Sequence, residues 1–120
     1  MTDEITLTLP RERPYFRIAH LVLGGLAVRL DLTFEHLEDL QLALAGVLER
    51  RGAGDEQVTV SVRVEGGTLR TRVGPFDPEQ LRAELEAASG DEIGLRRLLD
   101  TVVDRAELDG RYIELTKTVR

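Results

Sequence analysis

Cysteine is absent from the 120 residues, which removes disulfides, thiol nucleophiles and thiolate-held metals from consideration. Tryptophan is absent as well, and aromatic residues make up only 4% of the chain, so there is little material for a platform on which bases could stack. Long apolar runs are missing. The longest, Leu21 to Val28, falls far short of the ~20 residues that cross a bilayer. The first residues do not resemble a signal peptide, and a soluble, cytoplasmic protein without a membrane partner is the expectation. Excess positive charge is lacking too, since the formal net charge is −6. Nucleic-acid binding draws most of its affinity from Lys and Arg on phosphate. The small cluster Arg11, Arg13 and Arg17 is interrupted by Glu12, and no nucleic-acid partner is expected.

What is present is one domain's worth of chain, 1–120, without repeats or linkers. Ile5, Leu7 and Leu9 alternate with Thr6 and Thr8, the period of a half-buried strand. After Pro10 and Pro14 the apolar positions Ile18, Leu21, Val22 and Leu26 take up a helical stripe, weakened by Gly24 and Gly25. Thr33 caps a second helix, Leu32 and Leu37 staple its start, and Leu37, Leu40, Leu44, Val47 and Leu48 mark its buried face. Gly52 and Gly54 are expected to end it. Val58, Val60, Val62 and Val64 then alternate with polar residues, and Gly66-Gly67 turns the chain into a returning strand of Leu69, Thr71 and Val73.

Asp77-Pro78-Glu79-Gln80 combines a cap, a proline at the first helical position and a capping-box glutamine. The helix it opens is expected to run to Ala88 and to break at Ser89-Gly90. A fourth helix carries Leu95, Leu98, Leu99, Val102 and Val103. Asp109-Gly110 turns into a last strand, Tyr112 to Val119.

The chemistry-bearing residues do not assemble into a familiar constellation. His20 and His36 stand alone, without the three or four ligands a zinc site requires. Neither Ser61 nor Ser89 lies in a nucleophile elbow. Carboxylates are plentiful, but on helices they read as a solvated face. No catalytic residue and no metal ligand is assigned.

Several phrases resemble the anti-sigma-factor serine kinases of bacterial stress and sporulation pathways, in the GHKL (histidine-kinase-like) ATPase superfamily. They are Ile5-Thr6-Leu7-Thr8-Leu9-Pro10 with the Arg17 to Leu30 helix, and Leu30-Asp31-Leu32-Thr33 leading into Glu38-Asp39-Leu40-Gln41-Leu42-Ala43-Leu44. The later ones are Gly74-Pro75-Phe76-Asp77-Pro78, Ile93-Gly94-Leu95, and Leu98 with Val102-Val103-Asp104. The resemblance implies an α+β fold of Bergerat type. It would be a two-layer sandwich with a mixed, mainly antiparallel sheet covered on one face by helices, in the order β-α-α-β-β-α-α-β.

The departures from that family bear on function. The family's second helix carries a Glu that activates the acceptor hydroxyl and, four residues on, an Asn that holds Mg²⁺. Those positions are Gly46 and Arg50 here. Glycine cannot serve as a base, and a guanidinium cannot ligate Mg²⁺. The adenine-reading Asp is replaced around Arg72 and Val73, just before Gly74. The phosphate-binding glycines reduce to Gly94, with Glu92 where the first would be. The family's flexible ATP lid is replaced by the well-capped helix from Pro78.

The degenerate pocket is thus expected at Gly46, Arg50, Val73, Gly74, Glu92 and Gly94, with no cofactor. The resemblance then implies a non-catalytic, pseudokinase-like regulator of transcription. Its partner would be a sigma factor, a STAS-type anti-anti-sigma protein, a paralogue or a second copy. Tyr15, Arg17 and the strand Thr6 to Leu9 are the candidate contacts. The alternative implied by the same resemblance is an ATP- and Mg²⁺-binding anti-sigma serine/threonine kinase.

Overall fold

Alternation at Ile5, Leu7 and Leu9 produces the first strand, β1 (Asp3–Pro10), in a computed structural model that describes residues 3–50, 57–86 and 94–119. Pro14 lies in the first turn of α1 (Arg13–Leu30), where its missing N–H would have had no helical partner. Asp31 closes α1 in the left-handed region, φ 57°. Thr33 caps α2 (Phe34–Leu48), its hydroxyl accepting the His36 N–H at 3.0 Å. Leu32 and Leu37 both pack, partly buried, against the core. The glycines expected to end α2, Gly52 and Gly54, lie outside the described residues.

β2 (Gln57–Glu65) and β3 (Thr68–Gly74) form the expected hairpin. Gly66 and Gly67 both take positive φ, 52° and 85°, as a two-residue turn matched to strand twist requires. Asp77 then caps α3 (Pro78–Glu86), its Oδ1 accepting the N–H groups of Glu79 and Gln80 at 3.0 and 3.3 Å. The expected end at Ala88 and the break at Ser89-Gly90 lie outside the described residues. Gly94 caps α4 (Leu95–Val102). Two strands follow, β4 (Arg105–Asp109) and β5 (Tyr112–Thr118), joined at Gly110, φ 63°.

β4 was not expected. Its sequence, Arg-Ala-Glu-Leu-Asp, is built of residues with modest or poor strand propensity. It becomes a strand because Ala106 and Leu108 align with Leu115 and Ile113 of β5. The added hairpin also sets the direction of β5, which runs antiparallel to β3. The sheet, in order β1-β2-β3-β5-β4, is therefore antiparallel at every pairing rather than mixed.

The expected two layers are present. Val58, Val60, Val62, Leu69, Val73, Ile113 and Leu115 are buried against Ala43, Leu44 and Val47 of α2 and Leu99 of α4. The opposite sheet face is polar. Thr6 and Thr8 hydroxyls meet those of Ser61 and Thr59, and Arg70 and Arg72 share Glu114. Among the described residues no helix is long and apolar enough to cross a membrane.

Candidate functional site

Helix α2 presents Gly46 to α4, and the approach is close. A Cβ placed on Gly46 would lie 2.7 Å from Leu98 Cδ2 and 3.7 Å from Leu95 Cδ1. Real Cβ atoms do not tolerate the first distance, so any larger residue at 46 would have to displace Leu98. One turn on, Arg50 folds back. Its Nε donates to the Gly46 carbonyl at 3.2 Å, and its guanidinium pairs with Glu84 of α3 at 3.8 Å. Three helices of this region thus hold one another: α2 through Gly46 and, just past its end, Arg50; α3 through Glu84; and α4 through Leu95 and Leu98. Gly94 sits at the head of α4 as its cap.

The end of β3 is equally filled. Val73 is fully buried and pairs with Val60 and Ile113. Arg72 points to the other sheet face, where it bonds to Asp109, lies 3.5 Å from Glu114 and stacks 5.1 Å from the Tyr112 ring centre. The hydrogen bond to Asp109 is the main cause raising its pKa above the ordinary arginine value. At Gly74 a Cβ would meet the Tyr112 ring at 2.7 Å and the Arg111 carbonyl at 2.8 Å, so the β4–β5 turn requires glycine there. The next residues are fixed too. Phe76 N–H donates to the Arg111 carbonyl at 2.7 Å, and Arg11 donates to the Pro75 carbonyl at 2.7 Å while lying over the Phe76 ring. Glu92 lies outside the described residues.

The sequence named five of these positions, Gly46, Arg50, Val73, Gly74 and Gly94, but not the groups that fill the space around them. Leu98 reads as one more apolar residue of α4, and Glu84 as one more solvated carboxylate. Only their helical spacing hinted at a role. Thr71 was placed on the inner face by alternation. It is the one buried polar side chain among the described residues, and its hydroxyl finds no partner.

Outside the arginine–carboxylate cluster of the open sheet face, the titratable groups are dispersed. His20 is half-buried on α1, and burial holds its pKa below 6.5. Asp104 accepts the Thr118 N–H, which lowers its pKa. Lys117 donates to Asp39 at 3.3 Å and to the Val102 carbonyl at 2.9 Å. Among the described residues no three His, Asp or Glu side chains form a group able to hold a metal ion.

The candidate partner contacts lie elsewhere. Tyr15 and Arg17 are exposed on α1, and Arg17 borders an open groove of about 260 Å³ with Arg13, Phe16, His20, Ala45 and Glu49. β1 forms an edge of the sheet.

No protein-family model matches the chain. The serine-protein kinase RsbW of Listeria innocua is 27% identical over 140 residues, taking in 99% of this chain and 89% of the relative. RsbW of Listeria monocytogenes is similar to the same extent. A crystal structure of the RsbU and RsbW domains of Rv1364c from Mycobacterium tuberculosis matches with a TM-score of 0.69 and 16% identity, over 98% of this chain. The match takes in 32% of that longer chain, and it establishes the fold.

Proposed function

We propose, from the likeness to the RsbW serine-protein kinases of Listeria over nearly the whole chain, that this chain is a regulatory protein-binding module of that kind that works without ATP. One observation carries the reading. Leu98 lies where a side chain at position 46 would have to go, 2.7 Å from its first carbon. The catalytic glutamate implied by the resemblance is replaced by glycine, and the Leu98 side chain leans into the space beside it. Three further observations support the same reading. Arg50 brings a positive charge where Mg²⁺ would need an oxygen donor, and the guanidinium is engaged by Glu84. The residue facing inward at the end of β3 is Val73, with no hydrogen-bonding side chain to read adenine. The replacement for the family's lid is a capped helix tied to α2 through Arg50.

The resemblance names the partner class: a sigma factor, an anti-anti-sigma protein of STAS type, or an intact kinase paralogue, met in a bacterial cytoplasm. Tyr15, Arg17 and the free edge of β1 are the contacts offered to it. Binding there would act as an anti-sigma factor acts, by occupying the partner.

The competing reading is an ATP-dependent serine kinase, which the name carried by the Listeria relatives favours. Thermal unfolding with and without Mg²⁺ and ATP or ADP separates the two. A ligand at about 100 times its Kd stabilises by about 2.7 kcal/mol, which for a domain of this size raises Tm by several degrees. No shift at millimolar nucleotide is the expected result. A reproducible rise of that size, dependent on Mg²⁺, would overturn the proposal and favour the kinase.

A further inference from the structure

The net charge of −6 is not spread evenly over this chain. Helix α1 holds no Asp or Glu from Arg13 to Leu30. Three of its basic residues, Arg13, Arg17 and His20, follow one another at helical spacing on a single face. That face borders the open groove of about 260 Å³ between α1 and α2, which Ala45 and Glu49 close from the other side and Phe16 lines with an aromatic ring. Among the described residues Glu49 is the one carboxylate in the lining, and Arg13 already answers it at 3.6 Å. Arg17 and His20 have no ion pair among the described residues.

The helix ends that meet here reinforce the bias. The first turns of α1 bring the positive end of its dipole to the groove. The negative end of α2 is covered, because the Ala45, Gly46 and Val47 carbonyls accept from Glu49 N–H, Arg50 Nε and Arg50 N–H. His20 shares the groove with Arg13 and Arg17 of its own helix and with Glu49. Burial holds its pKa below 6.5, so at neutral pH it stands uncharged and ready to take up a proton beside a bound anion.

We propose that this groove binds a small phosphate monoester, the phosphate held by Arg13 and Arg17 with His20 as a third donor, and the organic group lying on Phe16 and Ala45. The two arginines stand four residues apart, about 6 Å along the axis, so their guanidinium groups close on one phosphate from two sides. A phosphate monoester offers three acceptor oxygens and close to two negative charges. A carboxylate would fill one arginine fork and leave the other donors unused. The groove lies below the about 300–1,000 Å³ of most ligand pockets, which limits the organic group to one ring or a short chain. Neither Gly46 nor Arg50 lines it, so the proposal goes beyond the ATP question and stands whichever way the nucleotide experiment falls.

Titration calorimetry of phenyl phosphate into the full chain tests the proposal, at about pH 7.5 where the ligand is a dianion. A Kd below about 1 mM is expected. Inorganic phosphate and benzoate, each lacking half of the match, should bind more weakly. Arg17→Ala should lose about tenfold or more, the worth of a charge-assisted hydrogen bond. Arg105→Ala removes the same charge from the edge strand β4 and should leave Kd unchanged. Glu49→Gln releases Arg13 and should tighten binding. In the bound protein the His20 imidazole, followed by NMR, should titrate at higher pH than in the free protein. Arg17, Glu49 and Arg105 are exposed, so the variants should remain folded by circular dichroism. Absence of saturable binding up to about 10 mM overturns the proposal. Equal losses in Arg17→Ala and Arg105→Ala would reveal a diffuse attraction and overturn it as well. A His20 titration unmoved by the ligand, or an affinity indifferent to Arg17→Ala, places the phosphate elsewhere, for example beside Arg50. Benzoate binding as tightly as phenyl phosphate overturns the choice of phosphate.

Discussion

Gly46 on α2 and the pair Gly24-Gly25 on α1 are all glycines inside helices, yet they occupy opposite environments. A first side-chain carbon on Gly46 would collide with Leu98 at 2.7 Å, whereas one on Gly24 or Gly25 would meet nothing within 4 Å. The intrinsic cost to the helix is the same in each case, about 1 kcal/mol. At Gly46 the cost is repaid by the close packing of α4. At Gly24 and Gly25 no internal contact repays it. The same residue type therefore marks a filled space in one helix and an open surface in the other, and substitution should move stability in opposite directions.

The largest effect is expected at the filled position. Gly46→Glu forces both volume and charge against Leu98 and should destabilise by about 3 kcal/mol or more, read from urea unfolding. Adding Leu98→Ala to that variant removes the obstructing methyls and should recover part of the loss. Absence of any recovery would mean that Leu98 is not what occupies the space. The opposite sign is expected on α1. Gly24→Ala and Gly25→Ala should each raise stability by about 1 kcal/mol. A loss at either position would reveal a contact inside the fold and erase the contrast.

The smallest effect belongs to His20, on the flank of α1. Burial lowers its folded pKa below the unfolded value of 6.5. The unfolded chain therefore binds the proton first as pH falls. The contribution of the neutral imidazole is complete above pH 6.5 and declines as pH falls through 6.5 toward the lower folded pKa. Comparing the pH dependence of Tm in the wild type and His20→Gln should show a slightly steeper decline for the wild type in that window. Identical profiles would mean that the imidazole is solvated in both states.

Much of the architecture was legible because local signals agreed with the tertiary outcome. The valines of β2 alternate without interruption, Gly66-Gly67 supplies both positive φ angles, and Thr33 and Asp77 cap the helices that follow them. β4 was illegible for the opposite reason. Ala106, Glu107 and Leu108 would suit a helix, and only the register with β5 extends them. The pocket positions were legible as absences, since Gly46 and Arg50 lack the required chemistry on their face. What fills their place was not, because the meeting of Leu98 with Gly46 and of Arg50 with Glu84 joins segments 52 and 34 residues apart in sequence.

The open side of the sheet has a practical consequence. Its arginines are already answered by Glu65, Asp109 and Glu114, and its hydroxyls by one another. An incoming molecule would gain a guanidinium there only by dislodging a carboxylate that holds it. Antibodies or peptides selected against this chain should therefore accumulate on the helical side, leaving the broad strand surface blank to reagents.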